Sequence, residues 1–363
     1  MERKTRSPHR DNTMRMKTAI VILNWNGEAM LRRFLPSVVA NSSDAMVVVA
    51  DNGSTDESRA LVSSDFPSVV WLQLDKNYGF AEGYNRAFKM LDEYCAAASP
   101  NIPLPTYYLL LNSDVETPAG WLSQLESYME ANNDVAACQP KLLCEWQRTH
   151  FEYAGAAGGF LDLLGYPFCR GRMFASVEAD EGQYDTVADI FWATGAALMI
   201  RREIFWQVGG LDGRFFAHQE EIDLCWRLRA RGHRIVCVPQ SAVYHVGGGT
   251  LPKENPRKTF LNFRNNLLLL YKNLPENQLR PVMRWRWWLD ALASVSFLAK
   301  GEWKSFCAVW KARRAYRKMR PDFESDRAAN LSLTTDPTPI GLYQGSLLAD
   351  YYIKGRRKWS ELK

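Results

Sequence analysis

Three short stretches of this sequence bring together residue types that do chemistry. Asn112-Ser113-Asp114 follows the apolar run Tyr107–Leu111. An acidic loop at a strand end can hold a divalent cation, and hard oxygen ligands suit Mg²⁺ or Mn²⁺. Such a Lewis acid stabilises a departing phosphate without moving a proton. The same tripeptide also fits an Asx turn opening a helix over Pro118–Met129. His218-Gln219-Glu220-Glu221-Ile222-Asp223 runs into Leu224–Leu228 with apolar residues at helical spacing. Acids in a first helical turn are favoured by the helix dipole alone. A carboxylate there also suits a general base that takes the proton of an attacking hydroxyl. With Glu220 beside Glu221, one is free to be buried and orienting while the other faces substrate. Tyr244–Thr250 sets His245 two residues before Gly247-Gly248-Gly249, where backbone approaches a phosphate closely. His245 suits a metal ligand, and equally a core histidine ahead of a flexible loop. Arg170 and Arg172 flank Gly171 in a central stretch with little strand character. Two readings fit them: a closing loop that grips a phosphate, or a surface excursion.

The elements that must position these residues are short apolar runs alternating with amphipathic stretches. Thr18–Leu23, Ala45–Ala50, Val69–Leu74 and Tyr107–Leu111 read as buried strands, with further strands expected at Val135–Leu143, Ala196–Ile200 and Arg234–Val238. Helix-like segments such as Glu28–Val39 and Ala81–Tyr94 lie between them. Strand–helix alternation with continuous apolar strands predicts an α/β fold on a mostly parallel, doubly covered sheet. The segments after the strands, 24–27, 51–56, 77–85 and 112–116, are rich in Asn, Asp and Gly. In open α/β sheets ligands bind beyond the carboxyl ends of the strands, so four such loops describe a site for a polar, charged ligand.

Hydrophobic residues make up 47% of the 363 and charged residues 23%, a globular balance. The net charge is only +5, but residues 251–320 hold 16 Lys/Arg against 4 Asp/Glu. A basic C-terminal segment thus follows a mildly acidic body, which points to an anionic surface as partner. The seven cysteines are scattered without a CxxC pair, so reduced thiols are expected rather than a disulfide frame or zinc ribbon. Residues 1–16 are basic and lack the apolar stretch of a signal peptide. Trp287–Ala299 is apolar but interrupted by Asp290, and falls well short of the ~20 residues a spanning helix needs. With Trp285, Trp287 and Trp288 at its start and the Trp- and Arg-rich stretch 303–320 after it, the region suits helices lying in a membrane interface. Helices packed on the body, with a solvated basic face, fit the same composition.

Taken together, ILNWNG (22–27), VADNGSTDES (49–58), NYGFAEGYNRA (77–87), LLLNSDVE (109–116), ATGAALMIRRE (193–203), the stretch 209–232 and YHVGGGT (244–250) resemble the family 2 glycosyltransferases of GT-A fold, in particular the bacterial rhamnosyltransferase-like branch. The resemblance implies a catalytic domain over 17–265; composition adds a disordered basic tail over 1–16 before it, and a helical membrane-associating or packing region over 266–330 and a C-terminal tail over 331–363 after it. It implies that Asp51 contacts the base or ribose of a nucleotide, with Asn24 and Asn26 lining the base pocket. Asn77, Gly79 and Asn85 would border the nucleoside and diphosphate. Asp114 matches the metal-binding Asp of the family's DxD element, in which Asn112 replaces a carboxylate with an amide, and His245 matches a late metal-side His. Glu221 falls where the family's base sits, with Glu220 as its alternate. Arg170, Arg172 and Asp223 are assigned to the loops facing acceptor or diphosphate.

The activity implied is inverting transfer of a sugar, with rhamnose as the branch's example, from a nucleotide-diphosphate sugar with Mg²⁺ or Mn²⁺. The acceptor implied is a polyprenyl-diphosphate-linked glycan at the cytoplasmic face of the plasma membrane, with no nucleic acid partner. A nucleotidyltransferase would open on a Gly-rich basic loop, and a dehydrogenase on GxGxxG after the first strand; neither is here. The alternative is a nucleotide- or glycan-binding protein on the same fold that has lost catalysis.

Overall fold

The computed structural model of the chain describes residues 16–98, 102–247, 255–336 and 341–362. The basic N-terminal tail as far as residue 15, and Gly248–Thr250 of the glycine run after His245, lie outside the described residues. In chain order the first half is β1 (Thr18–Asn24), α1 (Glu28–Ala40), β2 (Met46–Asp51), α2 (Ser58–Asp65), β3 (Val70–Gln73), α3 (Gly79–Ala98), β4 (Tyr107–Leu111), β5 (Val115–Glu116), α4 (Trp121–Ala131) and β6 (Val135–Cys144). The short strands β7 (Gly159–Asp162), β8 (Pro167–Cys169), β9 (Arg172–Met173), β10 (Ser176–Val177) and β11 (Ala188–Asp189) follow. Then come β12 (Ala197–Arg201), α5 (Arg202–Gln207), α6 (Glu220–Ala230), β13 (Arg234–His245), α7 (Pro256–Asn273), α8 (Glu276–Ala299), α9 (Trp303–Met319), α10 (Glu324–Ser332) and β14 (Leu342–Tyr343).

The apolar runs form the central sheet in the order β11-β13-β6-β12-β4-β1-β2-β3, with β5 on β13. Its β3-β2-β1-β4 half is parallel, and β12 enters antiparallel between β4 and β6. Strands such as β4 (YYLLL) are buried throughout because helices cover both faces. One face carries Tyr84, Phe88 and Leu91 of α3. The other carries Leu31 and Leu35 of α1 with Trp121 and Leu125 of α4. The parallel register sets the carboxyl ends of β1, β2 and β3 in a row, with Asn24 opposite Asp51 and Asp51 opposite Gln73.

Three expectations are corrected. The central stretch is not poor in strands: β10-β9-β8-β7-β14 form a second, five-stranded sheet. Its seam on the body is tight, since a Cβ at Gly159 would stand 2.1 Å from the Trp192 ring. The segment after residue 331 is no loose tail. β14 pairs with β7, the Leu347 N–H donates to Asp162 Oδ2 at 2.9 Å, and Trp359 lies 5.6 Å from Phe160, ring to ring. Finally, the boundary at 265/266 falls inside α7, whose Leu267–Leu270 are buried in the main core.

The basic helices are less solvated than their composition suggests. Asp290, fully buried on α8, accepts from Arg286 Nη2 at 3.1 Å and also pairs with Arg313 of α9. The polar interruption of the apolar run is therefore an internal tie between two helices. No helix among the described residues is long and apolar enough to cross a membrane. All seven cysteines are unpaired.

Candidate active site

At the ends of β1, β2 and β3 the row Asn24–Asp51–Gln73 is bonded through side chains. Asn24 Nδ2 donates to Asp51 Oδ1 at 3.0 Å, and Gln73 Nε2 donates to Asp51 Oδ2 at 2.8 Å. The Ser54 N–H also donates to Asp51 Oδ2, at 2.9 Å. Asp51 is 1% exposed, so its carboxylate shapes the loop around it. Asn26, at φ 49°, accepts from the Thr55 N–H at 2.8 Å and ties the first loop to the second. Trp25 beside it is 48% exposed, an aromatic face left open at the loop mouth.

The second loop grips the third through Asn52, which reading the sequence alone did not single out. Its Nδ2 donates to the Gly79 carbonyl at 3.0 Å and to Asn77 Oδ1 at 3.2 Å, and its Oδ1 accepts from the Tyr78 N–H at 2.9 Å. Asn77 Oδ1 also accepts from the Gly79 N–H at 2.8 Å, a local Asx turn. Gly79 has φ 79°, and a Cβ there would meet Phe216 at 2.6 Å, so the glycine lets the loop close on the segment before α6. Asn85 is placed differently from expectation: both ends of its amide hold the Leu211 backbone, at 2.7 and 3.0 Å.

Asp114 and His245 come together because β5, immediately after Asp114, pairs antiparallel with the end of β13, His245 opposite Val115. His245 Nε2 lies 3.1 Å from Asp114 Oδ1 and 3.3 Å from Asn112 Nδ2. Its Nδ1 lies 3.5 Å from Glu152 Oε2 and has no hydrogen-bond partner among the described residues. Burial would lower the imidazole pKa, but Glu152 and Asp114 together push it up to about 10. At Asp114 burial works to raise the carboxyl, but the bond to His245, the His245 charge and backbone N–H groups together hold it below the usual range. Glu152 was missed because nothing local marks it; it reaches the site across the loop after β6.

This donor set fits a divalent cation in part. One carboxylate oxygen and one imidazole nitrogen on the same side suit Mn²⁺ or Mg²⁺, and Glu152 behind Nδ1 is the outer carboxylate that commonly orients a ligating histidine. Among the described residues no three His, Cys, Asp or Glu side chains form a cage. A cation here would therefore take its remaining positions from a bound diphosphate and water.

Glu220 and Glu221 open α6 after a strained entry: Phe216, His218 and Gln219 all have positive φ, between 67° and 72°. The strain is held by Asn265 of α7, whose Nδ2 donates to the carbonyls of Phe215, Ala217 and His218 at 3.0, 2.8 and 2.7 Å. Asn266 donates to Gln219 Oε1 at 2.9 Å. Glu220 is 3% exposed, and burial, then the neighbouring Glu221 charge, keeps it protonated well above the usual range. Glu221 keeps part of its surface open, and burial pushes its carboxyl up to about 7. Neither Oε2 has a hydrogen-bond partner among the described residues.

The three motif groups converge on Gly195-Ala196, just before β12. The Asn112 N–H donates to the Ala196 carbonyl at 3.0 Å. A Cβ on Gly195 would stand 2.9 Å from Phe80 of the third loop and 3.9 Å from Glu221 Cβ. A side chain at this position would press on the Phe80 ring between the donor-side loop and the acid.

Asp223, Arg170 and Arg172 are not brought to this mouth. Asp223 is fully buried and accepts from Lys272, Arg227 and Asn273 at 2.8, 2.9 and 2.9 Å. Arg170 donates to the carbonyls of Ala157 and Thr186, and Arg172 to those of Tyr153 and Pro167. Both arginines are buried tethers of the second sheet, neither a phosphate-gripping loop nor a surface excursion.

The sequence model described as Glycosyl transferase family 2 matches residues 19–209, just over half of the chain. N-acetylglucosaminyl-diphospho-decaprenol L-rhamnosyltransferase of Mycobacterium tuberculosis is 28% identical over 233 residues, covering 62% of this chain and 75% of that protein. Rhamnosyltransferase WbbL of Escherichia coli is 24% identical over 228 residues, covering 62% and 82%. Among solved structures, GalNAc-T7 with UDP, GalNAc and Mn²⁺ is similar in fold, with a TM-score of 0.53 at 15% identity, over 71% of this chain and 48% of that one.

Proposed function

The chain belongs to glycosyl transferase family 2, and on that premise we propose that it moves a hexose, rhamnose by likeness to its relatives, from a nucleotide-diphosphate sugar to a hydroxyl of a polyprenyl-diphosphate-linked glycan in cell-surface polysaccharide assembly. The observation that carries this reading is the meeting of acid, donor-side loop and Asn112–Asp114 segment around Gly195-Ala196. The acceptor class rests on the name of the mycobacterial relative, a diphospho-decaprenol transferase.

In this reading the loops clasped by Asp51 and Asn52 cradle the nucleoside, with Trp25 available to stack on the base. Asp114 and His245 would hold Mg²⁺ or Mn²⁺, and the chemistry such a cation would supply is neutralisation of charge on the departing nucleoside diphosphate. Glu221, with its carboxyl near 7, takes the proton of the acceptor hydroxyl. That hydroxyl attacks the anomeric carbon opposite the leaving group, and the product is inverted. Glu220, buried and protonated, keeps a second negative charge away from the incoming hydroxyl.

Peripheral binding at the inner face of the plasma membrane is supported by exposed Trp285 (62%), Trp288 (66%) and Leu292 (67%) on α8. The test is a donor screen that follows release of UDP, GDP or dTDP with Mg²⁺ or Mn²⁺ and a lipid-linked acceptor. Release from one donor that requires the acceptor is expected. Nucleotide binding without turnover on every donor would favour the inactive, binding-only alternative. Trp285→Ser with Trp288→Ser should lower sedimentation with vesicles; unchanged sedimentation would remove the membrane assignment.

A further inference from the structure

A groove of about 420 Å³ runs between α7 and α9. Apolar Phe260, Trp303 and Ala308 line it together with Arg257, Lys304 and Lys311. The volume falls in the range of small-molecule sites, roughly 300–1,000 Å³, which are typically apolar with a few placed polar groups. The charges differ in kind from the others on these helices. Arg286 and Arg313 are buried and share Asp290 as their counter-charge. Arg257, Lys304 and Lys311 are exposed, and none makes an ion pair among the described residues. Lys304 and Lys311 are seven residues apart on α9, two turns along one face, with Trp303 and Ala308 beside them.

We infer that this groove binds the diphosphate and first isoprenoid units of the acceptor lipid, an inference that rests on the lipid-linked acceptor reading above. An apolar trough rimmed by three cations that make no ion pair among the described residues matches a ligand with an anionic head and a hydrocarbon tail. Its position joins it to the chemistry. The Arg257 guanidinium lies over the Phe216 ring at 5.1 Å. The Phe216 carbonyl accepts from the N–H groups of Phe80 and Ala81 at 2.6 and 3.3 Å, and Phe216 belongs to the strained entry into the acid pair. A diphosphate at Arg257 would therefore sit on the acceptor side of the loop that the donor-side segment touches. At the far end Trp303, 59% exposed, offers the tail an aromatic face.

The experiment uses the full chain and farnesyl diphosphate as probe, followed by tryptophan emission, with farnesol, inorganic pyrophosphate and phosphatidylglycerol vesicles as separate arms. Farnesyl diphosphate should bind saturably, and farnesol at least tenfold more weakly. Lys304→Glu with Lys311→Glu should weaken farnesyl diphosphate at least tenfold, and the milder Lys304→Gln with Lys311→Gln less, while nucleotide binding stays unchanged and reports an intact fold. Affinity within twofold of the parent in the charge-reversed variant would overturn the site. So would vesicle binding that depends on the same lysines while farnesyl diphosphate does not. Transfer to lipid-linked acceptor with unchanged KM in the reversed variant rejects the groove alone. Lysine-dependent binding of farnesyl diphosphate without transfer to any diphosphate-linked acceptor rejects the acceptor reading alone, and the groove stands as an isoprenyl-diphosphate site.

Discussion

His245 and Asp114, 131 residues apart in the chain, meet at 3.1 Å through Nε2 and Oδ1, and the opposite ring nitrogen faces Glu152 at 3.5 Å. The histidine is thus bracketed by two carboxylates, one on the face where a diphosphate's cation would sit and one behind it. The bracket exists because a two-residue strand after Asp114 pairs with the last residues of β13.

If the two inner groups hold a cation, Asp114→Ala or His245→Ala should lower kcat/KM by about 100-fold or more at any metal concentration tested. Glu152→Gln should instead weaken Mn²⁺ dependence by about 10–100-fold, with turnover recovered at high metal. Chelation should stop turnover, and added Mn²⁺ should restore it. A Glu152→Gln protein that titrates with Mn²⁺ like the parent would remove the orienting role.

Glu221 predicts a pH profile. Its carboxyl is pushed up to about 7, so below that pH the base is protonated, and kcat/KM should rise about tenfold per unit before levelling off. Glu221→Gln should lower kcat by about 10²–10⁴-fold, remove this limb and leave nucleotide binding intact. The sign for stability is opposite. A carboxyl raised in the fold favours folding at low pH, and that contribution is lost as pH rises from the ordinary 4.5 through about 7. Urea melts of the Gln variant should be flatter across that window.

Asn265 predicts a coupling of stability to placement of the acids. Removing its amide leaves three carbonyls of the strained 215–218 segment without their donor. Asn265→Ala should cost about 1–3 kcal/mol and lower kcat more than it changes donor KM. Equal loss in a stability-matched variant remote from α6 would show that only folding was affected.

Asp290 predicts a larger penalty than any surface charge on α8 or α9. Asp290→Ala leaves Arg286 and Arg313 buried without their shared counter-charge, and should cost about 3–5 kcal/mol in urea unfolding. Asp290→Ala together with Arg313→Met should recover part of that loss. No recovery would mean that the aspartate acts alone.

Much of the fold was legible because buried parallel strands are continuous apolar runs, and because polar, glycine-bearing loops mark their carboxyl ends. β1, β2, β3 and β4 fall within a residue or so of where the apolar runs place them. The five-stranded sheet was not legible: its strands are two to four residues long, and β14 reaches it from far along the chain. Arg170 and Arg172 misled for the same reason, since two arginines flanking a glycine look alike in a free loop and in a tight sheet corner.

For the site, residue type and local context were enough to mark Asp114, His245 and the Glu220–Glu221 pair, because carboxylates and imidazole at strand ends and helix starts announce their chemistry, and the family resemblance added Asp51 and the choice of Glu221. Which of them meet, and what holds them, depended on contacts distant in sequence. Glu152 behind His245, Asn265 under the 215–218 carbonyls, Asp223 withdrawn into a cage of Lys272, Arg227 and Asn273, and Asn85 committed to Leu211 all follow from such contacts. A side chain's chemical type is local and the sequence carries it; its burial, partner and resulting protonation are properties of the packed neighbourhood, and only the tertiary structure decides them.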